Sequence, residues 1–209
     1  MKTRRRTADQ ITNNTTPREL LYSIKQMKNQ RNAALAAFIY LTGCRISEII
    51  GKVKVIPIYK GKGEERELVE TKTIEIPPLK KSNITLISDD IILVNNVPCL
   101  KWRNTVPRRN IPLKLSSPDD IEFIKIFIDY YNTLPDEAPL FKLTRNSAWR
   151  IINKELKVFT HYLIHQRCTE LVTNRGFTEL YLKKLRGWRD TRAAEVYAHL
   201  GWVDLAKKL

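Results

Sequence analysis

The sequence predicts an α+β domain, mostly helical, with a small antiparallel sheet between two groups of helices. Three observations point there: apolar residues at helical spacing up to Ile50, alternating β-branched stretches from Lys52 to Leu115, and helical spacing again from Ser116 onward, with glycines as breaks. At 209 residues and 43% hydrophobic content, the chain can build one sizeable core.

Residues 1 to 15 are polar, basic and without an apolar period, and are expected to form a flexible arm. "TPREL" then starts a helix: Thr16 is placed to cap it, Pro17 suits the first helical position, and Glu19 completes a capping box. Leu20, Leu21, Ile24 and Met27 follow at helical spacing. A second helix runs through "NQRNAALAAFIYLTGC", with Leu35, Phe38, Ile39 and Leu41 on a broad apolar face, and "CRISEII" begins another turn after Gly43. "KVKVIPIY", "TKTIEI", "NITLI", "DIILV" and "RRNIPL" read as strands of one small antiparallel sheet, punctuated by Gly61, Gly63 and the "PP", "SDD" and "NN" turns. "SSPDDIEFIKIFIDYYNTL", capped by Ser or Asp, and "TRNSAWRIINKELKVF" are helices. The stretch from His161 divides into several more helices at Gly176, Gly187 and Gly201.

Charge narrows the function. Lys and Arg number 37 against 22 Asp and Glu, for a net +15 and a pI near 9.8. That exceeds what solubility requires, so a polyanionic partner is expected, nucleic acid ahead of an anionic membrane surface. No segment approaches the roughly 18 to 20 unbroken apolar residues of a membrane span, and "MKTRRRTADQ" lacks the apolar stretch of a secretory signal. Cys44, Cys99 and Cys168 are scattered and without CxxC spacing, which suits buried reduced thiols rather than a disulfide framework or a zinc site.

Two stretches stand out chemically. In "LTGCRISEII" a single arginine, Arg45, lies in apolar sequence, where its charge needs either a buried partner, Glu48 three residues on, or an anion from outside. In "HYLIHQRCTELV" His161 and His165 share a helix face, but no HExxH pattern or nearby carboxylate completes a metal site.

Taken together, an arginine after "LTG", a basic strand ending "RRNIPL", an "HxL" helix, the "GW" of Gly187 and Trp188, and a late "VYAHL" resemble the catalytic domain of the tyrosine recombinase (phage integrase) family. "KKLRGW" and "AAEVYAHLGW" are most similar to its archaeal and archaeal-virus branch, and the resemblance extends over about residues 17 to 200. It implies that Tyr197 attacks a DNA phosphodiester, leaving a 3′-phosphotyrosyl bond and a free 5′-hydroxyl. A phenol near pKa 10 needs cations and hydrogen bonds to favour its phenolate and absorb charge on the pentavalent phosphate. Arg45 fits bidentate phosphate binding, His161 fits a hydrogen-bonding or proton-transfer role, and Trp188, where many relatives have histidine, can donate only its indole N–H. Arg108, Arg109, His165 and Arg167 are expected DNA contacts. For the lysine that protonates the leaving oxygen two candidates compete: Lys101, followed by the basic strand, fits the family order better than Lys62 of "GKGEER". Residues 52 to 78 are then an inserted or extended hairpin.

The sequence departs from the family at two places. The pattern H-x-x-R pairs a second arginine with the first across the phosphate, and here its place is taken by Ile164. Either Arg167, about one turn later, reaches the same phosphate, or it keeps a role of its own on backbone phosphates or an acidic neighbour. Ile164 marks a weakened or inactive recombinase, or a substitution that traps DNA uncleaved. The second departure is that only some 15 residues precede the first helix, where relatives carry a separate helical domain; the expectation is an excised or minimal catalytic domain. The tail, residues 201 to 209, packs on a neighbouring protomer or on its own domain.

The resemblance further implies duplex DNA as partner, a homo-oligomer (dimer or tetramer) on DNA, no cofactor or metal because the phosphotyrosine preserves the energy of the broken bond, and a cytoplasmic, nucleoid-associated protein of prokaryotic or viral origin. The rival from another class is a non-catalytic DNA-binding or regulatory protein on the same scaffold. An RNA-binding module is a third.

Overall fold

In the computed structural model, residues 16–61, 67–100, 105–195 and 197 are described. The expected arm, both candidate lysines, Lys62 and Lys101, and the tail lie outside them. Helix α1 (Pro17–Lys25) begins at the expected capping box: Thr16 Oγ1 accepts from the Glu19 amide at 3.2 Å, and the Thr16 amide donates to Glu19 Oε2 at 2.7 Å. Helix α2 (Gln30–Thr42) is capped by Asn29 and stops at Gly43, which takes the left-handed φ of 61° that glycine adopts most cheaply. Every residue of α2 from Asn32 to Thr42 is buried. An all-round apolar helix becomes the centre of a domain rather than one of its walls. A single turn, α3 (Ile46–Ile49), follows.

The strands divide into two sheets where the sequence suggested one. Among the described residues β1 (Lys52–Lys60) and β2 (Glu67–Ile76) pair only with each other, and β3 (Ile84–Ser88), β4 (Ile91–Pro98) and β5 (Arg108–Lys114) form a separate antiparallel sheet in the order β3-β4-β5. Periodicity identifies strands but not their partners, because pairing is decided between segments distant along the chain. The first pair leaves Val53, Val55, Leu68 and Val69 exposed, whereas β4 and β5 bury Ile92, Val94, Val97, Ile111 and Leu113. β5 alternates strictly between exposed and buried, so Arg108 faces out and Arg109 faces in.

Helices α4 (Ile121–Tyr131), α5 (Arg145–Leu156), α6 (Thr160–Thr173), α7 (Glu179–Arg186) and the short α8 (Arg192–Glu195) complete the domain. Aromatic side chains pack α2 against α4: Phe38 meets Phe127 at 4.8 Å between ring centroids, and Tyr40 stacks on Phe123 at 4.4 Å. The architecture is α+β, as the sequence predicts. All three cysteines are buried and unpaired, and no described helix is long and apolar enough to cross a membrane.

A buried ion cluster fastens α6 to the start of α4. Arg167 grips both carboxylate oxygens of Asp120 at 2.7 and 2.8 Å and donates to Glu170 at 2.9 Å. Arg175 donates to the same two acids, at 2.7 and 2.8 Å to Asp120 and 2.6 Å to Glu170. Asp120 is the residue preceding α4, and its carboxylate caps no helix amide because both oxygens serve the arginines. Burial alone would raise the Asp120 pKa, but hydrogen bonds from Arg167 and Arg175 outweigh it and hold the carboxyl below its ordinary value. Its contribution to stability is therefore present above the unfolded value of about 3.9 and lost as pH falls through the lower folded value. Replacing Asp120 with alanine leaves two guanidiniums sharing Glu170 alone and is expected to cost about 3–5 kcal/mol in urea unfolding at neutral pH, with the difference from wild type shrinking below about pH 4.

Candidate active site

Chemistry-bearing residues from four regions converge: the turn after α2, strand β5, helix α6, and the end of α7 through Tyr197. Gly43 ends α2, and its sharp turn puts Arg45 immediately before α3. Arg45 Nη1 donates to Glu48 Oε1 at 2.9 Å, and its amide donates to Oε2 at 2.9 Å. Glu48 is fully buried (0% side-chain exposure), whereas Arg45 keeps 17%. The second guanidinium on Glu48 is Arg109, whose Nη2 donates to Oε2 at 3.1 Å and whose Nη1 donates to the Pro98 carbonyl at 3.2 Å. Burial would raise the Glu48 carboxyl, but Arg109 and Arg45 hold it below its usual value, so it is ionised at neutral pH.

Tyr197 lies within electrostatic reach of Arg45. Its hydroxyl and His165 Nδ1 share a 2.5 Å hydrogen bond, and its ring stacks on Trp188 with an interplanar angle of 7°. Burial pushes the phenol well above its ordinary value and Cys168 acts in the same direction, while Arg186 and Arg45 pull it down. Trp188 is placed by Gly187, which has φ 62° and sits so tightly on Cys99 that a Cβ there would overlap the sulfur. The Trp188 Nε1 is buried with no hydrogen-bond partner among the described residues. Trp188 also walls a groove between β5 and α7 whose lining includes Arg108, Arg109 and Leu180.

Measured against the sequence reading, Arg45, Trp188 and Tyr197 share one site. The imidazole on the tyrosine is His165, not His161; the latter is exposed one turn earlier on α6. Arg108 is exposed on β5, with Nη1 donating to the Asn96 carbonyl at 3.1 Å. Arg109 and Arg167, expected to face DNA, point inward instead, with 6% and 7% side-chain exposure and carboxylate partners of their own. Their neighbours explain this: a strand's alternation turns Arg109 to the core, and two acids close by draw Arg167 in. Ile164 is buried. Among the described residues no group of three or more His, Cys, Asp or Glu could hold a metal ion.

The sequence reading did not single out Arg186, which the structure places beside this cluster. Its spacing of four from Leu182 puts it on the buried face of α7, which is the signal the sequence offers. It is 2% exposed, yet Nε and Nη1 have no hydrogen-bond partner among the described residues.

Neither a protein-family profile nor a curated protein sequence matches the chain. Solved structures do. The XerH site-specific recombinase bound to palindromic difH substrate, in its post-cleavage complex, is similar at TM-score 0.58 and 19% identity over 94% of this chain and 51% of that one. XerA recombinase is similar at TM-score 0.57 and 17% identity, over 92% of this chain and 59% of that one. The Tn1549 transposon integrase in complex with circular intermediate DNA is similar at TM-score 0.55 and 16% identity, over 91% and 61%. The chain thus spans 51% to 61% of the length of these structures, and at such identities the likeness shows a shared fold.

The setting of Tyr197 is open to spectroscopy. In the alkaline difference spectrum of wild type minus Tyr197→Phe, the phenolate band of residue 197 is expected to emerge above the ordinary value of about 10, and to move down when Cys168→Ala removes the neighbouring thiol.

Proposed function

We propose that this chain is the catalytic portion of a site-specific DNA recombinase or integrase that cleaves and rejoins duplex DNA through Tyr197. The observation that carries the reading is the Tyr197–His165 hydrogen bond of 2.5 Å beside Arg45, on a chain of net charge +15 with a recombinase fold. In this reading the Tyr197 oxygen attacks the scissile phosphorus, the bond to the 5′-oxygen breaks, and the phenolic proton passes to His165 Nδ1 in the tautomer that leaves that nitrogen free to accept. Arg45 lays its planar fork on non-bridging oxygens, and the Trp188 indole N–H donates to the same phosphate. Lys101 returns a proton to the departing 5′-oxygen. The products are a 3′-phosphotyrosyl bond and a free 5′-hydroxyl, and reversal of the step with a new 5′-hydroxyl rejoins the strand. Exchange between two DNA sites calls for several protomers, a dimer or tetramer assembled on DNA. His161 and Arg108 sit at exposed positions suited to backbone phosphates.

A second reading, a DNA-binding protein without catalysis, draws on Ile164, which leaves α6 without the arginine of the H-x-x-R pattern. A duplex nicked near the cleavage point separates the two. Wild type is expected to form a covalent protein–DNA band that Tyr197→Phe abolishes and that Arg45→Ala slows by about 10² to 10³ while leaving binding largely intact. Tight binding with no covalent band in wild type would leave the non-catalytic reading standing. In either case the logarithm of affinity is expected to fall steeply and linearly with the logarithm of salt concentration in a titration from low to physiological salt.

A further inference from the structure

Two clusters of buried arginine differ in a way that decides their roles. Around Arg167 and Arg175 stand two buried acids, Asp120 and Glu170, so the charges cancel and hydrogen bonds are plentiful. Around Arg45, Arg109 and Arg186 the described residues supply one carboxylate, Glu48. The thiols there do not help: burial pushes Cys44 and Cys168 above their ordinary values, so both are neutral near pH 7. Three guanidiniums against one carboxylate leave this interior cluster with excess positive charge, an arrangement that costs stability until an anion completes it.

Within that cluster Arg186 is the least satisfied member: Arg109 also leaves Nε without a partner among the described residues, but both of its terminal nitrogens donate. Arg45 and Arg109 each donate to Glu48, whereas Arg186 Nε and Nη1 are buried without a partner among the described residues. Its guanidinium carbon lies 5.8 Å from the Trp188 ring centroid, and its Nη1 packs so closely on Gly43, two residues before Arg45, that any Cβ at position 43 would overlap it. It acts electrostatically on Tyr197 and on Cys168, and Cys168 stands one helical turn beyond Ile164 on α6. Engaging an anion would require it to give up no hydrogen bond made by those two nitrogens.

We propose that Arg186 is a second phosphate-binding guanidinium, working with Arg45, and that it supplies from α7 the contact Ile164 removes from α6. This rests on the recombinase reading for the identity of the phosphate, a DNA phosphodiester; the anion site itself does not depend on that reading. Arg167, whose two terminal nitrogens are both held by Asp120 and Glu170, does not substitute for the missing group.

Two measurements test this. The first is thermal unfolding with and without inorganic phosphate, at ionic strength matched with chloride. Wild type is expected to melt higher in phosphate, Arg186→Gln to lose most of that shift, and Arg150→Gln, which removes an equal charge from an exposed position on α5, to keep it. Without phosphate, Arg186→Gln is expected to melt at or above wild type, because it removes an uncompensated buried charge; a purely structural arginine would lower the melting temperature instead. If wild type shows no phosphate shift, or Arg186→Gln shows the full one, the proposal is wrong. Should Arg186→Gln not fold, Arg186→Lys decides, since it retains charge without the fork: a reduced shift supports the proposal and an undiminished one overturns it.

The second measurement is covalent complex formation on nicked duplex DNA. Arg186→Gln is expected to slow it about 10² to 10³-fold, and Ile164→Arg in that background to restore part of the loss. Cleavage by Arg186→Gln at the wild-type rate would sink the proposal and leave the recombinase reading intact. No cleavage by wild type, together with an Arg186-dependent phosphate shift, would remove the enzymatic reading and leave the anion site standing.

Discussion

The site is organised around one buried carboxylate. Glu48 accepts from the Arg45 side chain and amide and from Arg109, and these bonds join the turn after α2 to strand β5. A carboxylate without solvent is tolerable only if guanidiniums surround it, and guanidiniums this deep are tolerable only if something anionic faces them. Each therefore fixes the other's place. Arg45, more exposed than Arg109, keeps 17% of its side chain accessible while its Nη1 is tied to Glu48. That is what a phosphate clamp requires, because a donor already oriented loses little freedom on binding.

The same physics yields opposite outcomes elsewhere in the chain. Arg167 and Arg175 meet Asp120 and Glu170 in equal number, so the cluster is closed, and it clamps α6 to the start of α4. The cluster around Glu48 is left open. Burial and residue type are alike in the two, and the count of acids per guanidinium separates a structural fastening from a place to receive an anion. Both touch α6, so the closed cluster also steadies the helix that carries His165 into contact with Tyr197.

In the proposed reaction Tyr197 is a weak nucleophile that its surroundings keep idle. Burial and Cys168 hold its phenol protonated, while His165 occupies the hydroxyl and Trp188 covers the ring. Arg45 and Arg186 oppose that bias electrostatically. A phosphate settling among the guanidiniums would place the reacting phosphorus and the proton acceptor around one oxygen, so in the proposed reaction activation and substrate binding are the same event.

Much of this was legible in the residues themselves. Helix starts were, because a capping box such as Thr16 with Glu19 is a local arrangement complete within four residues. So was the α+β order, because the switch from helical to alternating spacing and back is written in the chain itself. Periodicity alone did not divide the strands into two sheets, although the reading of residues 52 to 78 as a hairpin of its own pointed toward the β1–β2 pair; the identity of the imidazole on Tyr197 was not legible, because His161 and His165 share a helix face and only packing chooses between them. Arg109 reads as a surface cation by type, yet β5's alternation turned it inward, and of the alternatives open for Arg167 the structure shows the acidic neighbours, Asp120 and Glu170. Sequence by itself determined which local elements form and which reactive groups the chain carries, because those follow from neighbours a few residues apart. The tertiary structure alone decided which arginine has its charge cancelled and which does not, because that balance is struck among side chains brought together from positions 45, 48, 109 and 186.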